Sequence, residues 1–207
     1  MDNVLKSIQS LKKVVCFNHI GNEDAIALAQ ALQTNQTLEI LYISCDEIGD
    51  EGAIALAQAL HTNQTLKQLY LRGNLIGNEG AIALAQTLQT NQTLISLDLW
   101  GNKIGNEGVI ALAYALEINQ TLTVLHIDNK ETGIEAERAL TISLFINKSL
   151  QILILDCRKF LANKFNYLET KDTNIAKKRK QYRKLLRLLN STFLSDDVLS
   201  STILING

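Results

Sequence analysis

Residues 66–93 read LKQLYLRGNLIGNEGAIALAQTLQTNQT, and the stretch recurs along the chain at a fixed step. Gly21, Gly49, Gly77, Gly105 and Gly133 stand 28 residues apart. Asn35, Asn63, Asn91, Asn119 and Asn147 keep that step, as do Leu38, Leu66, Leu94, Leu122 and Leu150. Self-similarity at such a period means a stacked architecture in which each unit buries its apolar face against its neighbours. Stacks of this kind expose a long continuous surface, which points to binding before chemistry.

Within the quoted unit, Leu66, Leu69, Leu71, Asn74 and Ile76 form the pattern LxxLxLxxNxI. Alternation at Leu69, Tyr70, Leu71 and Arg72 predicts a short strand with the leucines inward. Gly77-Asn78-Glu79-Gly80 predicts a turn, with Asn78 as the N-cap of the helix it opens and Glu79 in that helix's first turn. Ala81, Leu84, Ala85 and Leu88 then occupy one helical face, their alanines allowing close approach to the strands. Asn91 is expected at the helix end, in the left-handed conformation that a C-cap often takes.

Strand, turn and helix in 28 residues resembles the leucine-rich repeat, and the helical half is similar to the ribonuclease-inhibitor-like subtype. The phrase GNEGAIALAQ-LQTNQTL resembles repeats of cytoplasmic nucleotide-oligomerisation-domain-like receptors and of effectors injected by intracellular bacteria. The resemblance spans about residues 12–159 and implies an α/β leucine-rich-repeat solenoid, a right-handed horseshoe with parallel strands concave and helices convex. It also implies that the motif Asn satisfies buried turn groups. That position holds Asn18, Asp46, Asn74 and Asn102, then Lys130 and Arg158, while Thr132 replaces the Ile of Ile48, Ile76 and Ile104. The last repeats are therefore expected to be irregular. Residues 1–11, with Val4, Leu5, Ile8 and Leu11, are expected to form a capping helix, and residues 160–207 a helical cap or extension.

Composition fits a soluble globular chain: 46% hydrophobic residues and a formal net charge of -1. The charge is uneven. Residues 160–207 carry nine Lys/Arg against four Asp/Glu, net +5, leaving -6 for residues 1–159. Within that tail, Asn174 to Asn190 read as an amphipathic helix with Ile175, Tyr182, Leu185, Leu186 and Leu189 on one side. Lys177, Lys178, Arg179, Lys180, Arg183, Lys184 and Arg187 cover the rest. A helix capping the last repeat is the favoured reading, against a nuclear-import signal, an anionic-membrane contact or a partner-binding helix. The stretch around Phe193, Leu194, Val198, Leu199 and Ile203–Ile205 is expected to be a further packed helix or tail. No secretory signal opens the chain and no apolar run is long enough to span a bilayer. Cys45 and Cys157 fall four repeats apart, about 19 Å at strand spacing and beyond disulfide reach. Free thiols favour a reducing, cytoplasmic setting.

Stacking in register would align the outward strand positions into rows. Tyr42, Tyr70, Asp98 and His126 share one, and Arg72, Trp100 and Asp128 the next. The chain's single Trp, two of its five Tyr and an Arg would thus converge on one exposed face. Those residue types dominate binding hot spots, where truncation can cost about 2 kcal/mol or more. We read Tyr42, Tyr70, Arg72 and Trp100 as anchors for a protein partner, with Asp98, His126 and Asp128 as solvent-exposed polar contacts. Resemblance to ribonuclease inhibitor suggests that such a face could cover an enzyme's active site.

Chemistry is the weaker reading. Ser96, His126 and an Asp can be drawn as a triad, yet Ser96 should lie about 8 Å from His126 between backbones, and nucleophile and base need about 3 Å. His126, Asp98 and Asp128 as a divalent-metal site is a remote alternative. Asn35, Asn63, Asn91 and Asn119 sit in NQT glycosylation sequons, but each also has a structural task at a helix end. No phosphate-cradling or zinc-spaced motif is present, so no cofactor or metal is expected, and direct nucleic-acid recognition is not favoured. The expectation is a monomeric, non-enzymatic binding protein, with a membrane- or nucleus-directed adaptor as the alternative and a hydrolase the least favoured.

Overall fold

The computed structural model describes residues 13–14, 20–44, 47–128, 132–155 and 201–204. Strands and helices alternate through it as β1 (Lys13–Val14), α1 (Asn22–Thr34), β2 (Ile40–Tyr42), α2 (Asp50–Thr62), β3 (Gln68–Tyr70), α3 (Asn78–Thr90), β4 (Ser96–Leu99), α4 (Asn106–Ile118), β5 (Val124–Ile127), α5 (Ile134–Ile146) and β6 (Ile152–Leu155). Strands β1 to β6 pair parallel in chain order. Pairing offsets are 28 residues from β2 onward, as in Leu41↔Leu69, Leu69↔Leu97 and Leu97↔Leu125. Helices are about 10 Å wide and strands about 4.8 Å apart, so the stack must bend with its strands on the inner side.

Each helix holds 13 residues because the same signals bound it every time. Between sheet and helices lies one continuous core. Leu41, Leu69, Leu97 and Leu125 point inward from the strands to meet Leu28, Leu56, Leu84 and Leu112 from the helices, all at most 2% exposed. Burial of each such side chain is worth about 1.5–3 kcal/mol, and every helix is held mainly by it. No described helix is long and apolar enough to cross a membrane.

The caps differ from the expectation. Gly77, extended at φ -99°, is the N-cap of α3, and Asn78 is already inside the helix. The Asn78 side chain reaches forward instead: its Oδ1 accepts from Gly105 N–H at 2.9 Å and Gly108 N–H at 3.0 Å, at the start of α4. Asn22 does the same for α2 and Asp50 for α3. One repeat therefore satisfies the orphan donors of the next. The small residue at the third helical position makes room for this. A Cβ on Gly108 would lie 2.7 Å from Ile104 Cγ2, 2.9 Å from Ala81 Cβ and 3.0 Å from Asn78 Oδ1.

At the other helix end Asn91 is extended, with φ -72° and ψ 122°, not left-handed. Its amide donates to Leu60 O and Asn63 O of the preceding repeat, while Oδ1 accepts from Thr93 N–H and Leu94 N–H. Asn63, Asn119 and Asn147 repeat this pattern. Asn63, Asn91 and Asn119 are at most 2% exposed. The sequon nitrogens at those three positions are thus buried donors.

Regularity extends further than the motif substitutions suggested. Thr132 is buried like the isoleucines it replaces, α5 matches the other helices, and β6 pairs in step as Leu125↔Leu153. Ser201–Leu204 forms β7, which runs antiparallel on β6 through Ile154↔Thr202 and Leu155↔Ser201, so at these residues the expected helix or tail gives way to a strand. Asn18, Asp46, Lys130 and Arg158, all three cysteines, the expected capping helix 1–11 and the basic helix 174–190 lie outside the described residues.

Candidate interaction face

Outward strand positions are placed by the turns that follow them. After Leu71 and Leu99 the chain reverses at Gly73 and Gly101, whose φ values of 71° and 69° disfavour residues with a Cβ. Asn74 and Asn102 hold these turns. Asn74 Nδ2 donates to Ile43 O and Leu71 O, and Asn102 Nδ2 to Leu71 O and Leu99 O. Their Oδ1 atoms accept from Ile48 N–H and Ile76 N–H. Gly73 N–H also donates to Trp100 O at 2.8 Å, which locks the two turns together. The result is a rigid base under Arg72 and Trp100.

On that base the two aligned rows form. Tyr42 pairs with Tyr70, Tyr70 with Asp98 and Asp98 with His126. The Tyr42 and Tyr70 rings stack with centroids 4.3 Å apart and planes 9° from parallel. One repeat along, Arg72 Cζ lies 6.0 Å from the centre of the Trp100 ring, within reach of a cation–π contact. Arg72 is exposed, and Tyr42, Tyr70, Trp100, His126 and Asp128 are half-buried.

Asp98 departs from the expected exposure. It is 5% exposed, because it stands between the larger side chains of Tyr70 and His126 in its row. Its Oδ1 accepts from Trp100 N–H at 2.9 Å and its Oδ2 lies 3.1 Å from His126 Nδ1. A carboxylate only accepts, so His126 carries its proton on Nδ1 toward Asp98. Asp98 thereby fixes both Trp100's backbone and the His126 ring, a positioning task more than a contact.

Ser96 and Gln68 belong to the face although neither was among the expected contact residues. The Tyr70 hydroxyl donates to Gln68 Oε1 at 3.1 Å and is also hydrogen-bonded to Ser96. Both sit one outward position before the Tyr70–Asp98 row and could have been found from that spacing. Burial on this face pushes the Tyr70 phenol above its ordinary value; the Ser96 bond opposes the shift and neighbouring Tyr42 adds to it. Ser96 pairs across the sheet with Val124, and among the described residues no Ser96–His126 hydrogen bond forms. Nor does any cluster of three His, Cys, Asp or Glu gather there to hold a metal.

Comparison with known proteins agrees with this geometry. A family model described as Leucine Rich repeat matches residues 34–57, 62–85 and 90–113. Among solved structures the chain is similar to leiomodin-1 Actin-Binding Site 2, with 19% identity, TM-score 0.58, and 87% of this chain and 94% of that one covered. It is similar too to the tropomodulin C-terminal domain of Caenorhabditis elegans, with 19% identity, TM-score 0.57, and 81% and 96% covered. At this identity the likeness speaks to fold. Curated protein sequences provide no match. Matched repeats, ladder register and backbone likeness agree: the chain carries leucine-rich repeats and folds as an α/β leucine-rich-repeat solenoid.

Proposed function

We propose that this protein is an interaction module that holds another protein against its strand face. The observation that carries the reading is the joining of Tyr42 stacked on Tyr70 with Arg72 beside Trp100 on one rigid surface. The core, filled by leucines beneath, has no use for these side chains. Stacked and paired before any partner arrives, they lose little rotamer freedom on binding, which favours affinity. Asp98 works from below, and His126 and Asp128 supply polar contacts at the C-terminal side.

The finer reading rests on the sequence resemblance to ribonuclease inhibitor and to effector repeats. In it the module acts in the cytosol as a monomer, as an effector that covers the active site of a partner enzyme. The leiomodin-1 structure is described as an actin-binding site, which makes actin one defined partner to test. The test is affinity capture and titration with wild-type protein and with Arg72→Ala/Trp100→Ala. Loss of two hot-spot side chains at about 2 kcal/mol each, about 4 kcal/mol together, should weaken binding by about 700-fold. Equal retention by both baits, with both folded, would remove the strand face from the interface.

A further inference from the structure

Charge on the strand face is sparse, and its two signs are treated differently. Of the outward residues Tyr42, Ser44, Tyr70, Arg72, Asp98 and Trp100, only Arg72 and Asp98 are ionic. Asp98 is answered from within: it is buried, and its oxygens take the Trp100 N–H and the His126 ring. Arg72 is not. It is exposed, and among the described residues no ion pair or hydrogen bond engages its guanidinium. Its contact is with Trp100, whose ring it lies over at 6.0 Å. Such a contact leaves the N–H donors of the guanidinium open to an acceptor.

A partner cannot cover the aromatic residues without covering this cation. Tyr70 is the outward residue before Arg72 on the same repeat, and Trp100 is its contact one repeat along. A surface laid on Tyr70 and Trp100 therefore excludes water from Arg72 as well. Burying a charge with no counter-charge costs more than the contact gains, and Asp98, already engaged, cannot supply one. The partner has to bring the anion. Asp98 lies in the neighbouring row and Asp128 two strands along, about 10 Å at strand spacing. Their field opposes a phosphate, at about -1.5 to -2, more than a single carboxylate.

We propose that the partner meets this face through an acidic peptide segment, with an aspartate or glutamate seated on Arg72 and apolar neighbours against Trp100 and Tyr70. The inference rests on the interaction-module reading and adds the partner's chemistry to it. A carboxylate meets a guanidinium through two parallel hydrogen bonds. Trp100 holds Arg72 before the partner arrives, so less freedom is lost when that pair forms.

Short random peptides displayed on phage and panned on the full chain supply defined probes. Peptides selected by the wild-type protein should carry Asp or Glu, and changing that acid to its amide should weaken binding about tenfold. On Arg72→Ala, which removes an exposed side chain and should fold, the same peptide change should have little effect, the mark of a direct pair. Phosphoserine at the acid's position should bind no tighter. Selected peptides without an acid, or equal losses on wild type and Arg72→Ala, would overturn the carboxylate. If Trp100→Ala still abolished binding in that case, the strand face would stand as the interface. Tighter binding of the phosphoserine peptide would also overturn it. A wild type that selects nothing beyond what Arg72→Ala/Trp100→Ala selects would remove both the carboxylate and the strand face.

Discussion

Asn78 and Gly108 lie thirty residues apart in the chain and 3.0 Å apart in space, and through that bond one repeat caps the helix of the next. Asn78 Oδ1 accepts a second bond from Gly105 N–H, so two of the orphan donors opening α4 depend on a side chain from α3. Helix capping in this protein is an interaction between repeats.

Asn78→Ala should therefore destabilise α4 while leaving α3's own N-terminus unchanged. Loss of an N-cap acceptor costs about 0.5–2 kcal/mol. Urea unfolding gives the total, and amide exchange should quicken at Gly105 and Gly108 before it changes at Gly77.

Gly108→Ala tests the close approach at the same place. The added Cβ would crowd Ile104, Ala81 and Asn78, of which only Asn78 can move, and moving it gives up the cap. Overpacking of this kind costs about 1–3 kcal/mol. The same change at Gly21, where nothing lies within 4 Å of the added atom, should cost less.

Asn119→Asp keeps the shape and removes the donor. Leu88 O and Asn91 O would lose their partner in a fully buried site, and a carboxylate would be buried against two carbonyls. Unsatisfied buried groups cost about 1–3 kcal/mol each, so the variant should lose more stability than Asn78→Ala. Thermal unfolding compares the two.

Tyr70 links stability to alkaline pH. Its phenol is raised above 10.0 in the folded state, so over that interval the native protein holds a proton that the unfolded chain has released. The stabilisation is fully present below the unfolded value and declines as pH rises through the folded one. Tyr70→Phe should flatten this decline, which denaturant melts across the alkaline range will show.

Residues within one repeat carried most of the fold: Leu69 and Leu71 alternate inward, and Ala81, Leu84 and Leu88 share a helix face. The aligned rows followed from the fixed step. What escaped a reading along the chain was bonding across repeats. Asn78 and Asn91 were assigned caps within their own helix because a single unit shows no other partner for them. Asp98 points outward as alternation requires, but its burial depends on the sizes of Tyr70 and His126, its neighbours on either side. The antiparallel placement of Ser201–Leu204 depends on a contact with β6 that no local pattern encodes.

The direct test of the strand face is photo-crosslinking with a captured partner. A photoreactive residue placed at Tyr70, at the centre of the strand face, should yield a covalent adduct with that partner. The same residue at Gln86, on the outward side of α3, should yield none. Adducts from position 86 without adducts from position 70 would put the partner on the helices and contradict the account.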